Sequence, residues 1–318
     1  WQSYVLRQRK ERLDSMGYNI IDIKDLDKSF KDVHAVNHLS FHVEKGEFFA
    51  FLGINGAGKS TTISIMTGIT KKDSGQVLID GKDIDKDFLP ISKEIGVVFQ
   101  NSVLDPTLSV MDNLVSRAAL YGLYGEEFRK RLHELGGKFH FEDLLKRQVG
   151  KLSGGQRRKI DVARALIHNP KILILDEPTT GLDPQTRKNL WEVVTYYRKE
   201  KGVTVFLTTH YMEEVSEADY IVILDKGKIA AEGTPLDLKN KYTGDFIVLY
   251  QYDEEKIKTL GLPYEKIRDA VRIEVKDTLE AKKLILEHPD LFSDFEITKG
   301  KMDDVFLAAT GKKLEGSI

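Results

Sequence analysis

Eight consecutive residues, Gly53-Ile54-Asn55-Gly56-Ala57-Gly58-Lys59-Ser60, combine three glycines with a lysine and a hydroxyl. Glycines let a backbone turn tightly and aim successive N–H groups at phosphate oxygens. Lys59 is a point charge for β- and γ-phosphates, and Ser60 offers magnesium a hard oxygen. A helix starting after Gly58 adds its positive dipole end. The pattern requires a strand before it and a helix after it. The apolar run Phe48–Leu52 and the helix-like stretch Thr61–Gly68 provide both.

A second group ends an apolar run: Lys171-Ile-Leu-Ile-Leu-Asp176-Glu177. One carboxylate can enter the magnesium shell while the other orients or deprotonates a water. Phosphoryl transfer needs little more than that positioning and charge neutralisation. A third group, Ser153-Gly154-Gly155-Gln156, precedes a helical stretch and reads as another anion-binding helix start. Two phosphate sites with one lysine loop suggest a dimer, each nucleotide held between the loop of one subunit and the Ser-Gly-Gly of the other.

The elements that must hold these residues follow from patterning. Residues 19–51 alternate apolar and polar, which predicts an antiparallel region ending in a buried strand. Residues 76–84 hold a turn at Asp80-Gly81. Residues 104–168 read mostly as helices, and strands return at Ile172–Leu175, Val203–Leu207 and Tyr220–Leu224. Helices alternate with these at Thr186–Lys199 and Met212–Glu217. Such alternation implies a mainly parallel sheet whose carboxyl ends bind ligands. The expected fold class is α/β, with a mainly parallel core sheet, an antiparallel β subdomain and a helical subdomain over 101–165 within a domain spanning 16–240. A small C-terminal α+β accessory unit follows over 241–318. Residues 1–15, WQSYVLRQRKERLDS, differ from the rest: they are either a leader or a short amphipathic helix contacting a partner or a membrane.

Composition narrows the classes. With 48 Lys+Arg against 50 Asp+Glu there is no basic excess to argue for nucleic acid as a partner. No cysteine is present, which removes disulfides, zinc–thiolate sites and cysteine nucleophiles. No apolar run reaches the roughly 18–20 residues of a spanning helix.

Together the motifs resemble the nucleotide-binding subunit of ATP-binding cassette transporters. GINGAGKST at 53–61 resembles that family's phosphate loop, LSGGQ at 152–156 its signature, ILILDEPTTGLD at 172–183 its acidic strand and TTH at 208–210 its switch histidine. The resemblance covers roughly 20–235 and implies ATP and Mg2+ as ligands. Asn55, Gly56, Ala57, Gly58, Lys59, Ser60 and Thr61 would cradle the phosphates, Phe30 would stack on adenine, and Ser60, Gln100 and Asp176 would surround magnesium. Glu177 would polarise the water, His210 would contact the γ-phosphate, and Asp183 would lie at the dimer interface with Ser153, Gly154, Gly155 and Gln156. Ile54 stands where the family commonly has Pro, which removes no ligand.

The resemblance further implies integral-membrane permease subunits and a second ATPase subunit, identical or not, at the cytoplasmic face of the membrane. The tail, KMDDVFLAATGKKL at 301–314, looks like those of drug, lipid or polysaccharide exporters. An importer motor and a soluble cassette ATPase without a permease are the alternatives. The helical region 101–150 is expected to dock the permease, with Gln100 and Asn101–Pro106 as the coupling surface.

Overall fold

Strand alternation at the start of the chain produces two long antiparallel strands, β1 (Asn19–Phe30) and β2 (Val33–Glu44), and then the fully buried β3 (Phe48–Leu52). This is a computed structural model, and it describes residues 18–312. The leader over 1–15 and the end of the tail lie outside the described residues.

Helix α1 (Lys59–Met66) follows β3. Strands β4 (Ser74–Ile79) and β5 (Lys82–Asp83) are joined by Asp80 and Gly81, both left-handed at φ 50° and 72°. That mirror-image turn matches the twist of the strands it joins. These strands form an antiparallel sheet in the order β2-β1-β4-β5.

The chain continues through α2 (Phe88–Glu94), β6 (Ile95–Val98), α3 (Val110–Ala119), α4 (Gly125–Phe139), α5 (Gly154–Leu166), β7 (Ile172–Asp176) and α6 (Pro184–Lys201). Then come β8 (Thr204–Thr209), α7 (Met212–Val215), β9 (Tyr220–Asp225), β10 (Lys228–Gly233) and α8 (Pro235–Tyr242). A six-stranded sheet runs β10-β9-β3-β8-β7-β6, parallel except for the edge hairpin of β9 and β10. Strands β6 and β10 and helices α2 and α8 were not anticipated. Ile95–Val98 is only four residues long and shows no period.

Strand β3 shows how the two layers share one sheet. Phe48, Ala50 and Leu52 enter the core beneath the helices, with Leu114, Leu135, Ile160 and Leu190. Phe49 and Phe51 point the other way, into a core with Ile23, Phe41 and Phe206 beneath the antiparallel sheet. Phe41 stacks on Phe49 with centroids 5.3 Å apart.

The C-terminal segment builds β11 (Asp245–Leu249), α9 (Glu254–Thr259), β12 (Tyr264–Ile267), β13 (Ala270–Val275), α10 (Thr278–Glu287) and β14 (Phe295–Lys299). They form a third sheet, β12-β13-β11-β14, with its own core of Ile247, Val271, Ile273, Ile257 and Phe292. Helix α11 (Met302–Thr310) departs from the expected separate unit. Its Met302, Val305 and Phe306 are buried in the core beneath the parallel sheet, and Lys312 pairs with Asp225 at the end of β9. The apolar face of α11 thus belongs to the larger unit, and the third sheet is an insertion between α8 and α11.

Candidate functional site

Strands β3, β8, β7 and β6 are neighbours in the parallel sheet. Their register sets Leu52 beside Thr209, Thr208 beside Asp176, and Leu175 beside Val98. All four carboxyl ends therefore meet at one edge, as ligand sites of such sheets do. From that edge the chain delivers Gly53, His210, Glu177 and Gln100.

The loop after β3 wraps around its own lysine. Lys59 Nζ donates to Gly53 O at 2.6 Å and Ile54 O at 3.2 Å. Gly58 has φ 106°, and a Cβ there would stand 2.4 Å from Ala35 O, so only glycine fits. Asn55, Gly56 and Ser60 are exposed, Ala57 and Gly58 are buried, and Thr61 is half-buried. Burial lowers the Lys59 pKa, and the carboxylates of Glu177 and Asp176 counter that.

On the acidic side, Thr208 Oγ1 donates to Asp176 Oδ1 at 2.5 Å. Burial raises the Asp176 pKa against that bond. Glu177 takes the left-handed conformation at φ 46° and is 8 % exposed. Three sequence-predicted residues converge on its carboxylate. Gln100 Nε2 donates to Oε2 at 3.0 Å, His210 Nδ1 stands 3.4 Å from Oε2, and Lys59 Nζ stands 3.8 Å from Oε1.

Phe30 sits at the tip of the β1–β2 hairpin with its ring 48 % exposed, so it is not a core residue. Lys28 Nζ lies 5.2 Å from its centroid. An exposed aromatic face can stack on a base.

Ser153, Gly154, Gly155 and Gln156 form a separate helix start. Ser153 Oγ accepts from Gln156 N at 3.2 Å, and Gln156 Oε1 accepts from Ser153 N at 3.1 Å. Asp183 caps α6, accepting from Thr186 N at 3.0 Å and Thr186 Oγ1 at 2.6 Å. Those two bonds hold its carboxyl below the usual range. A Cβ on Gly155 would lie 2.9 Å from Thr186 Cγ2, so the glycine lets the two helix starts touch. Among the described residues no hydrogen bond joins Ser153–Gln156 to the lysine loop of the same chain.

Arg158 was missed by sequence reading. It is 7 % exposed and donates to Pro178 O at 2.5 Å, Phe99 O at 2.6 Å and Glu177 O at 2.9 Å. One guanidinium thereby ties the helix after Ser153 to the loops carrying Gln100 and Glu177. The available signal was its spacing, since Arg158 shares a helix face with buried Asp161, Val162 and Ala165. Glu214 was also missed. It is buried and accepts from the hydroxyls of Thr179 and Thr209, the second at 2.6 Å, bracing the loops after β7 and β8.

Ser60 and Asp176 carry oxygen donors that a hard cation would take, and Gln100 turns its amide nitrogen toward Glu177, leaving its amide oxygen as the donor it could offer. A hydroxyl, an amide and one carboxylate suit Mg2+, which keeps waters and takes other ligands from phosphates.

Comparison with known proteins bears on the family and the fold. A family model described as ABC transporter matches residues 36–180. The chain is 40 % identical over 230 residues to the linearmycin resistance ATP-binding protein LnrL of Bacillus subtilis, covering 72 % of this chain and 74 % of that one. It is 33 % identical over 316 residues to the Nod factor export ATP-binding protein I of Rhizobium etli, covering 95 % of this chain and 96 % of the relative. Among solved structures, the dimeric post-hydrolysis state of the ATP-binding cassette MJ0796 bound to ADP and Pi matches with a TM-score of 0.62. It is 30 % identical and covers 67 % of this chain and 98 % of that one.

Proposed function

The chain belongs to the ABC transporter family of ATP-binding subunits, and on that premise we propose that it is the ATPase motor of an exporter with separate permease chains. The observation that carries the reading is the convergence of Gln100, His210 and Lys59 on the Glu177 carboxylate.

In this reading the N–H groups of the 53–60 loop and the Lys59 ammonium bind the phosphates. Ser60, Gln100 and Asp176 hold magnesium, which neutralises phosphate charge. Glu177 orients a water and takes its proton, while Gln100 and His210 fix the carboxylate that does so. Phe30 stacks on adenine. Ser153–Gln156 and Asp183 face the nucleotide of a second cassette, a copy of this chain or a relative.

Export is favoured by the relatives, whose names specify Nod factor export and linearmycin resistance. Among the described residues no helix is long and apolar enough to cross a membrane, so the chain would sit on the inner face through its permease. An apolar groove supports a docking surface for the permease on this side of the chain. It measures about 390 Å3 and opens between α2 and α3, walled by Phe88, Leu89, Phe99 and Leu120. Ten of its thirteen lining residues come from outside the 101–150 region expected to dock the permease, which contributes Arg117, Leu120 and Tyr121.

The test is co-purification from a detergent extract together with gel filtration in ATP. Glu177→Gln should accumulate an ATP-bound dimer, and adding Ser153→Arg should return it to monomer. A monomer in the single variant, or no membrane protein in the extract, contradicts the reading.

A further inference from the structure

His210 follows the last residue of β8 and is half-buried. Its Nδ1 stands 3.4 Å from Glu177 Oε2, and among the described residues no hydrogen bond holds the other ring nitrogen. The imidazole instead packs on Tyr211, with ring centroids 4.2 Å apart and planes tilted by 37°. The backbone of Tyr211 is itself held. Its N–H donates to Thr209 Oγ1 at 2.9 Å, and that hydroxyl donates to the buried Glu214 at 2.6 Å.

Arg187 reaches the same ring from α6. Its guanidinium carbon lies 4.8 Å from the Tyr211 centroid. A guanidinium over an aromatic face is attracted by the ring quadrupole, more strongly where water is partly excluded. Arg187 is half-buried, and its Nε is buried with no acceptor among the described residues. Its other contact is an ion pair with Glu213 at 3.6 Å, but that carboxylate is 89 % exposed, and such pairs contribute little. The contact with Tyr211 is thus the firmer of the two. Helix α6 gives it a rigid base, since Asp183 caps the helix and Arg187 N donates to Asp183 O at 3.0 Å.

The geometry points to Tyr211 and Arg187 as positioning residues for hydrolysis. Arg187 holds the Tyr211 ring. The ring holds the His210 imidazole at the angle that keeps Nδ1 beside Glu177 and leaves Nε2 for the γ-phosphate. A histidine without that support samples several side-chain rotamers, and fixing one beforehand removes the ordering cost from each turnover. Both residues act through His210, so the inference rests on the role given to His210 in the proposed ATPase and extends that site by two side chains.

The test is a mutant cycle on the purified full chain. Phosphate release, binding of a fluorescent ATP analogue and the urea midpoint are measured for each protein. Tyr211→Ala should lower kcat about tenfold while KM and the affinity for the analogue hold. Tyr211→Phe keeps the ring and should keep the rate. Arg187→Gln should lower kcat about threefold, and at its half-buried position it carries the same cycle if Tyr211→Ala does not fold. In a His210→Ala chain neither substitution should cost anything further, because the group they orient is gone. Equal losses in the wild-type and His210→Ala backgrounds, or full activity in both Tyr211→Ala and Arg187→Gln, overturn the inference. Where the His210→Ala chain is too slow to measure, the comparison of Tyr211→Ala with Tyr211→Phe decides, and equal rates in those two overturn it. A His210→Ala chain that hydrolyses ATP at the normal rate instead removes the role of His210 beneath the inference.

Discussion

Gln100 Nε2 donates to Glu177 Oε2 across 3.0 Å, joining the loop after β6 to the end of β7. Gln100 begins the segment that leads into the helices, so movement of those helices has a direct line to the carboxylate. Removing the amide by Gln100→Ala frees one face of Glu177. Hydrolysis should fall about tenfold or more through kcat while nucleotide affinity holds, since the lost contact orients a base. Steady-state phosphate release alongside binding of a fluorescent ATP analogue separates the two. A change confined to KM contradicts the assignment.

Glu177→Gln keeps the shape of the side chain and removes its basicity. The expected cost is about 10²–10⁴ in rate, the range for losing a positioned general base. Lys59 and the loop backbone are untouched, so the same fluorescent analogue should bind as before. Near-normal turnover in this variant would remove the role given to Glu177.

Arg158→Lys tests whether the hidden guanidinium positions the site. An ammonium cannot serve carbonyls of Phe99, Pro178 and Glu177 at once. Leaving buried carbonyls unpaired costs about 1–3 kcal/mol each. The midpoint of chemical denaturation should drop, and hydrolysis should fall further than stability explains, because Glu177 loses the contact that holds its strained backbone. Full activity at a temperature where the variant is folded would make Arg158 structural only.

The order in which residues became legible follows from the range of their contacts. The loop at 53–60 and the Asp176-Glu177 pair are local patterns, readable because adjacent residues do the chemistry. The side-by-side placement of β3, β8, β7 and β6 is long-range, and only the parallel register reveals it. Arg158 hid because its acceptors are main-chain oxygens 18 to 59 residues away, and carbonyls leave no trace in a sequence. Helix α11 carries an apolar face of Met302, Val305 and Phe306, yet the identity of its partner is not encoded in its own period. Its apolar face fits the cassette core as well as any sheet of its own.

Phe306→Ala addresses that helix. The ring is 1 % exposed within the core beneath the parallel sheet. Truncating a buried Phe costs about 3–5 kcal/mol. The loss should appear in the unfolding of the ATPase unit, read as inactivation of hydrolysis at lower denaturant. If inactivation is unchanged while only the third sheet loosens, α11 is not part of the cassette core.

His168 sets an acid limit on stability. Burial first, and repulsion from Arg117 second, lower its pKa from 6.5 to about 3. The unfolded chain therefore takes up a proton near pH 6.5 that the folded chain refuses until about pH 3. Its contribution is complete above the unfolded pKa and is lost as pH falls toward the folded one. Between about pH 7.5 and 5.5 the loss is about 1 kcal/mol. His168→Phe keeps a ring on Tyr121 but gives up the bond to Ile95 O, so the variant starts less stable at neutral pH. Its stability should then decline less between those two pH values by about the same 1 kcal/mol. Urea denaturation of both proteins at each pH provides the comparison, and parallel declines would mean that His168 is charged in the folded state.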